Sequence, residues 1–223
     1  MVFKRKQLPE LYTEHEMEAV ESHIAAKFGD FKNVFHEIFS PDIHVDICIV
    51  DPAPRRNYYT LVTMGMGAHR MKVPRELRGK GLDRAEVLIA LPPDWDIQNE
   101  DENWYWPIRC LKSIARLPGD NRTWLGYGHT VSNEEPYADN TELCGALITM
   151  PYLFGQEAAV CSLPNGDEIN FYQVLPLYED EMDFKIEHGA EALEDLFPKD
   201  FDMVLDPVRR NVVRGKEERR RGS

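Results

Sequence analysis

The sequence predicts an α+β fold, a mixed and mostly antiparallel sheet with helices packed on it. Three observations carry this. An amphipathic helix stands near the start of the chain. Ala85–Leu91 is almost wholly apolar, as in a strand covered on both faces. Helix-like and strand-like stretches then follow in the order α, several β, α, several β, α.

The first helix is expected over 13–28. Thr13-Glu14-His15-Glu16 matches a capping box, Met17, Val20, Ile24 and Phe28 recur at spacings of three and four, and Gly29 supplies the stop. Val34–Phe39 is a short apolar run, readable as a strand or a helical turn. In Ile43–Ile49 the isoleucines and Val45 alternate with His44, Asp46 and Cys48, which predicts a strand ended by Asp51-Pro52-Ala53-Pro54. Tyr58–Met64 predicts another strand, ending at Gly65-Met66-Gly67. Ala85–Leu91 predicts a central one, closed by Pro92-Pro93-Asp94.

A second helix is expected over Trp106–Leu117, with Pro107 in its first turn and Pro118-Gly119 at its end. Leu143–Met150 and Glu168–Leu175 predict two further strands, and Asn165-Gly166 a hairpin turn. A weaker helix over Glu187–Leu196 and a last short strand over Phe201–Leu205 complete the reading. One domain is expected over 1–208, followed by a basic, flexible tail over 209–223.

Charge is the most unusual bulk property. The 223 residues include 39 acidic and 26 basic ones, for a net of −13. Seven of the basic residues and two of the acidic ones fall in 209–223, which leaves the body at −18. Such a body repels phosphate backbones and attracts basic partners, so a nucleic-acid partner is not expected. No apolar run approaches the roughly 20 residues that cross a bilayer, and the basic start has no apolar stretch behind it, so neither a membrane nor a signal peptide is expected and the default compartment is the cytoplasm. The four cysteines (Cys48, Cys110, Cys144, Cys161) show neither paired metal-ligand spacing nor a disulfide framework, and they fit buried apolar positions.

The search for chemistry finds little. The chain has no phosphate-cradling G-x-x-x-x-G-K-[ST] loop and no G-x-S-x-G elbow, and the glycines at 65 and 67 lack the third glycine of a dinucleotide fingerprint. No enzyme class, cofactor or metal is called for. His44 and Asp46, neighbours on one strand face, could form a metal half-site or a base with its orienting carboxylate. The favoured reading is a hydrogen-bonded pair that fixes register. With His129 they define the alternative reading, a metal-assisted hydrolase. His129 lies in Gly126-Tyr127-Gly128-His129-Thr130, either a ligand loop or a tight turn.

The stretch 94–106 interleaves acids with aromatics: Asp94, Trp95, Asp96, Glu100, Asp101, Glu102, Trp104, Tyr105 and Trp106. Aromatics give contact area at interfaces and carboxylates draw in Lys or Arg, so these residues, with Tyr127 and His129, are the candidates for binding a protein. The competing reading has Trp104 and Trp106 anchoring the next helix while the acids are solvated, and it is favoured for Trp106.

Seven stretches in order then resemble the suppressor of fused family. They are His44–Ile47, Tyr59–Met66, Ala85–Trp95, Trp106–Arg116, Trp124–Thr130, Leu147–Pro151 and Asn170–Tyr178, over about residues 34–208. The resemblance implies an α+β domain that binds another protein. Animal members look like scaffolds that hold a strand of a transcription factor between two domains, and this chain matches the first of them. Those members carry a tyrosine after the Ala-Arg pair and an aspartate before the loop histidine, where this chain has Leu117 and Gly128, so no binding residue is carried over. Single-domain bacterial relatives resemble immunity proteins or antitoxins, which implies a basic, toxin-like partner.

Overall fold

The computed structural model describes residues 9–37 and 42–215. Helix α1 (Glu14–Lys27) forms where the capping box predicts it: Thr13 Oγ1 accepts from the Glu16 N–H at 3.3 Å, and the Glu16 carboxylate accepts from the Thr13 N–H at 2.9 Å. Gly29 follows at φ 120°, a conformation that favours glycine. The strands are β1 (Phe31–Phe35), β2 (Asp46–Val50), β3 (Tyr59–Met64), β4 (Ala85–Leu91), β5 (Thr130–Ser132), β6 (Gly145–Thr149), β7 (Val160–Ser162) and β8 (Glu168–Leu177). The far end of the Val34–Phe39 run lies outside the described residues.

These strands form one mixed sheet in the order β1-β2-β3-β4-β8-β6-β5, with β7 also paired to β8. Every pairing is antiparallel except β4 with β8, as the sequence predicts for a mixed, mostly antiparallel sheet. Strand β8 organises one half of the sheet. Its first residues pair β4 on one side and β7 on the other, and from Gln173 it pairs β6. Where β8 leaves β4, the chain near Val204 takes its place, with the Leu205 N–H donating to the Ala90 carbonyl at 2.9 Å. The last strand expected over Phe201–Leu205 is therefore a single bridge.

The core lies on both faces of the sheet because successive strand residues point opposite ways. Ile47, Ile49, Leu61, Val87 and Ile89 pack with Trp106, Leu111 and Ile114 of α2 (Glu102–Asp120). Cys48, Val50, Val62 and Leu88 pack with Val20, Ile24 and Phe28 on the α1 side. A third cluster joins Leu147, Leu175 and Leu177 to Met182 of α3 (Glu179–His188) and Leu193 of α4 (Ala190–Glu194). All four cysteines are free and buried.

Three further expectations need correcting. Helix α2 starts at Glu102 rather than Trp106, because Asp101 caps it by accepting from the Asn103 N–H at 2.9 Å. Pro107 therefore sits inside the helix, and the Asn103 carbonyl that it leaves without a helical donor accepts from the Asn140 side chain at 3.1 Å. The helix expected over 187–196 is two helices broken at Gly189, whose φ is 94°. The chain does not become a tail at 209. Asn211 is buried, a helical turn spans 212–215, and Arg209 is enclosed against α3, while 216–223 lies outside the described residues.

Candidate protein-binding face

The acid-aromatic stretch divides into a buried half and an exposed half. Trp95 is 5% exposed and its indole N–H donates to the Trp104 carbonyl at 2.9 Å, so it belongs to the core and offers no surface to a partner. Trp104 is half-buried and packs edge-on against Trp95 at 5.1 Å. Trp106 is fully buried and stacks on Tyr137, with ring centroids 4.7 Å apart. Asp94, Asp96, Glu100, Asp101 and Glu102 are all exposed. The aromatics thus fasten the start of α2 to the sheet, and that anchoring holds the acids at fixed places on the surface.

Beside Asp101 and Glu102 the surface opens into a cavity of about 780 Å³, whose wall also includes Arg109, Glu135, Tyr137 and Asp139. Arg109 is held back against that wall: its guanidinium pairs with Glu102 at 2.9 Å and donates to the Tyr137 carbonyl at 2.7 Å. Glu135 and Asp139 are exposed. The cavity is therefore acidic, with one arginine already engaged.

The segment that brings Glu135 and Asp139 there leads out of β5, the last strand of the sheet. Among the described residues, strand β5 has a sheet neighbour, β6, on one side only. Bonds from the His129 carbonyl and the Asn133 N–H hold its two ends to β6, and the alternation between them turns the Thr130 N–H outward. After β5 the chain turns through Glu134, a non-glycine residue at φ 66°, whose N–H is satisfied by Ser132 Oγ at 3.0 Å. The sequence reading missed β5, Glu135 and Asp139. A three-residue strand is too short for periodicity, and only the Ser132-Asn133-Glu134-Glu135-Pro136 turn chemistry marks its end.

Tyr127 and His129 stand just ahead of β5. Tyr127 is 37% exposed and its hydroxyl donates to Glu194 at 3.0 Å. His129 packs edge-on against Trp124 at 4.4 Å, and burial, aided by the nearby Lys185 charge, lowers its pKa. The ring is thus held neutral at neutral pH.

His44 and Asp46 do meet, at 3.1 Å, and His36 reaches the other Asp46 oxygen at 3.0 Å. His129 does not join them. Strands β3, β4, β8 and β6 separate β2 from β5, on the order of 20 Å at the usual strand spacing. The expected grouping of His44, Asp46 and His129 is therefore wrong. Among the described residues, no three His, Cys, Asp or Glu side chains converge as a metal would require. The Asp46 oxygen that meets His44 also accepts from the Glu37 N–H at 2.9 Å, so the carboxylate ties the chain before β2 to β2 itself.

The chain is thus an α+β module, a mixed sheet covered on both faces whose β5 edge lies beside an acidic cavity. Among the described residues, no helix is long and apolar enough to cross a membrane. The family model for suppressor of fused protein matches residues 41–210, and the chain belongs to the suppressor of fused family. It is 26% identical over 209 residues to an uncharacterized protein, UU111, of Ureaplasma parvum, covering 91% of this chain and 98% of that one. The structure of a suppressor of fused homologue from Neisseria gonorrhoeae superposes with a TM-score of 0.62 at 22% identity, over 88% of this chain and 96% of the other. The Sufu–Fu complex gives a TM-score of 0.70 at 12% identity, over 95% and 96%. Drosophila Suppressor of Fused gives 0.62 at 13%, covering 97% of this chain and 56% of that one.

Proposed function

We propose that this chain is a non-catalytic protein-binding module, an immunity- or antitoxin-type protein that binds and neutralises a basic partner. The observation that carries this is the acidic cavity bordered by Asp101, Glu102, Glu135 and Asp139, set beside the open edge of β5. An extended segment of the partner adds to β5 through main-chain bonds, and its Lys or Arg side chains enter the cavity. Membership of the suppressor of fused family, and a structural neighbour solved as a Sufu–Fu complex, support a protein as the ligand. The net charge of −13 supports a basic one, drawn in at a rate that falls as salt rises. The exposed acids Asp94, Asp96 and Glu100 lie outside that cavity and add to the negative field of the protein, and Tyr127 and His129 immediately precede the strand at which the partner docks.

The inhibitor reading is tested by expressing the captured partner in a sensitive host with and without this chain. Growth arrest relieved by the wild type, but not by Glu102→Gln/Glu135→Gln/Asp139→Asn, is the expected result. A partner that is harmless alone overturns the immunity role and leaves a binding module of another kind.

A further inference from the structure

The connection between β3 and β4 runs against the charge of the rest of the protein. From His69 to Arg84 it carries Arg70, Lys72, Arg75, Arg78, Lys80 and Arg84 against Glu76 and Asp83, in a chain of net charge −13. Two of these cations are neutralised. Arg70 pairs with Asp83 at 2.6 Å and with Asp167, and the buried Arg84 pairs with Glu16 at 2.6 Å and Asp167 at 3.1 Å. Lys72, Arg75, Arg78 and Lys80 are exposed, and among the described residues no carboxylate lies within 4.0 Å of their charged groups. In so acidic a protein, four neighbouring cations with no carboxylate at ion-pair distance are a local excess of positive charge, even with Glu76 in the same stretch and Glu168 on the wall of the cavity that they border.

The patch is built on a fixed base. Met71 and Val73 are buried, and they alternate with Arg70 and Lys72, which face outward. The Met71 N–H donates to the Asp83 carbonyl at 2.8 Å and the Lys72 N–H to the Thr123 carbonyl at 3.0 Å. Gly79 (φ 77°) and Gly81 (φ 69°) then turn the chain back, so that Arg78 and Lys80 border the same cavity, about 1010 Å³, as Lys72 and Arg75. This cavity lies at the Glu168 end of β8, whereas β5 reaches β8 through β6 near Leu175. The two surfaces of opposite sign are thus separate.

We propose that this cradle is a second interaction surface, which takes a short acidic segment of a protein partner. Four exposed arginine and lysine arms round an open cavity suit several carboxylates held side by side, with the arginines pairing in two-pronged fashion. A nucleic acid fits less well. Its phosphates continue beyond the patch and meet the acidic body, whose repulsion grows with each added contact.

The test is fluorescence anisotropy of a dye-labelled oligo-glutamate peptide against the full chain at low and high salt, with a single-stranded oligonucleotide of similar charge in parallel. Wild-type protein is expected to bind the peptide at low salt. Lys72→Gln/Arg75→Gln/Arg78→Gln/Lys80→Gln is expected to bind it at least about tenfold more weakly. A control removing the exposed Lys32, Arg55, Lys199 and Arg210 in the same way changes net charge equally and is expected to stay within about twofold. Equal loss in both variants, or no peptide binding by the wild type, overturns the proposal. Tighter binding of the oligonucleotide through the same four residues also overturns the assignment of a protein segment. Melting temperatures of both variants confirm that each is folded.

Discussion

Arg209 and Glu181 form a buried two-pronged ion pair that fastens the C-terminal segment to α3. One guanidinium nitrogen donates to Glu181 Oε1 at 2.7 Å and the other to Oε2, with the two side chains 9% and 0% exposed. Glu181 also accepts from the N–H groups of Tyr178 and Val212, and Arg209 donates to the Pro176 carbonyl at 2.9 Å. Removing the arginine leaves a buried carboxylate without its counter-charge. Arg209→Ala is expected to cost about 3–5 kcal/mol in urea unfolding. Arg209→Lys keeps the charge but loses the fork, and should fall between the two. An Arg209→Ala variant as stable as wild type would show that 209–215 contributes nothing to the fold.

Glu86 is the buried hub of the sheet's other end. It is wholly buried and accepts from the Tyr12 hydroxyl at 2.5 Å, the Thr63 hydroxyl at 2.5 Å, and the N–H groups of Gly65 and Gly67 at 2.8 and 3.1 Å. Burial raises its pKa, while those donors work the other way. Glu86→Gln places an amide donor among groups that already donate, and about 1–3 kcal/mol of stability should be lost. Thermal or urea unfolding checks this, and an unchanged midpoint would contradict it.

Leu88 tests the placement of the central strand. It is fully buried on the α1 side, in the cluster with Ile24, Phe28 and Phe171. Leu88→Ala should destabilise by roughly 2–5 kcal/mol. A melting temperature equal to wild type would argue against that packing.

Acid should weaken the fold through His23 and His129. His23 packs against Phe171 and Phe28, with Nε2 3.0 Å from the Ala158 carbonyl, and burial lowers its pKa as it does that of His129. A lowered pKa means that the unfolded chain takes up the proton first, at about 6.5. Stability is therefore complete above that pH and lost as the pH falls through it towards the folded values. Urea titrations at about pH 7.5 and about pH 5.5 should show a drop that His23→Gln/His129→Gln makes smaller. An equal drop in the double variant would place the acid sensitivity elsewhere.

What the sequence made legible follows from how each element is held. Strand β4 could be read residue for residue because it is buried on both faces, and α1 because its cap and its apolar spacing agree. The start of α2 was hidden: Pro107 fits a first helical turn, and only tertiary partners, the Asp101 cap and the Asn140 amide, reveal that the helix begins earlier. Helix α3 was missed because its inward face includes Glu181, whose burial depends on Arg209, a residue remote in sequence. The exposed acids of 94–102 could be named from sequence. The joining of Asp101 and Glu102 with Glu135 and Asp139 around one cavity could not, because the β5–β6 pairing brings the latter two there.

The central claim, a basic protein held at the β5 edge and the acidic cavity, is met most directly by affinity capture. Tagged wild type, Thr130→Pro and Glu102→Gln/Glu135→Gln/Asp139→Asn would each be incubated with native lysate and washed at low and high salt, with bound proteins identified by mass. Proline removes the outward N–H of Thr130 that a partner strand would use. The account predicts one basic protein retained by the wild type at low salt, released at high salt, and lost or strongly reduced with both variants. Retention of the same protein by all three forms, or no partner on the wild type, would contradict it.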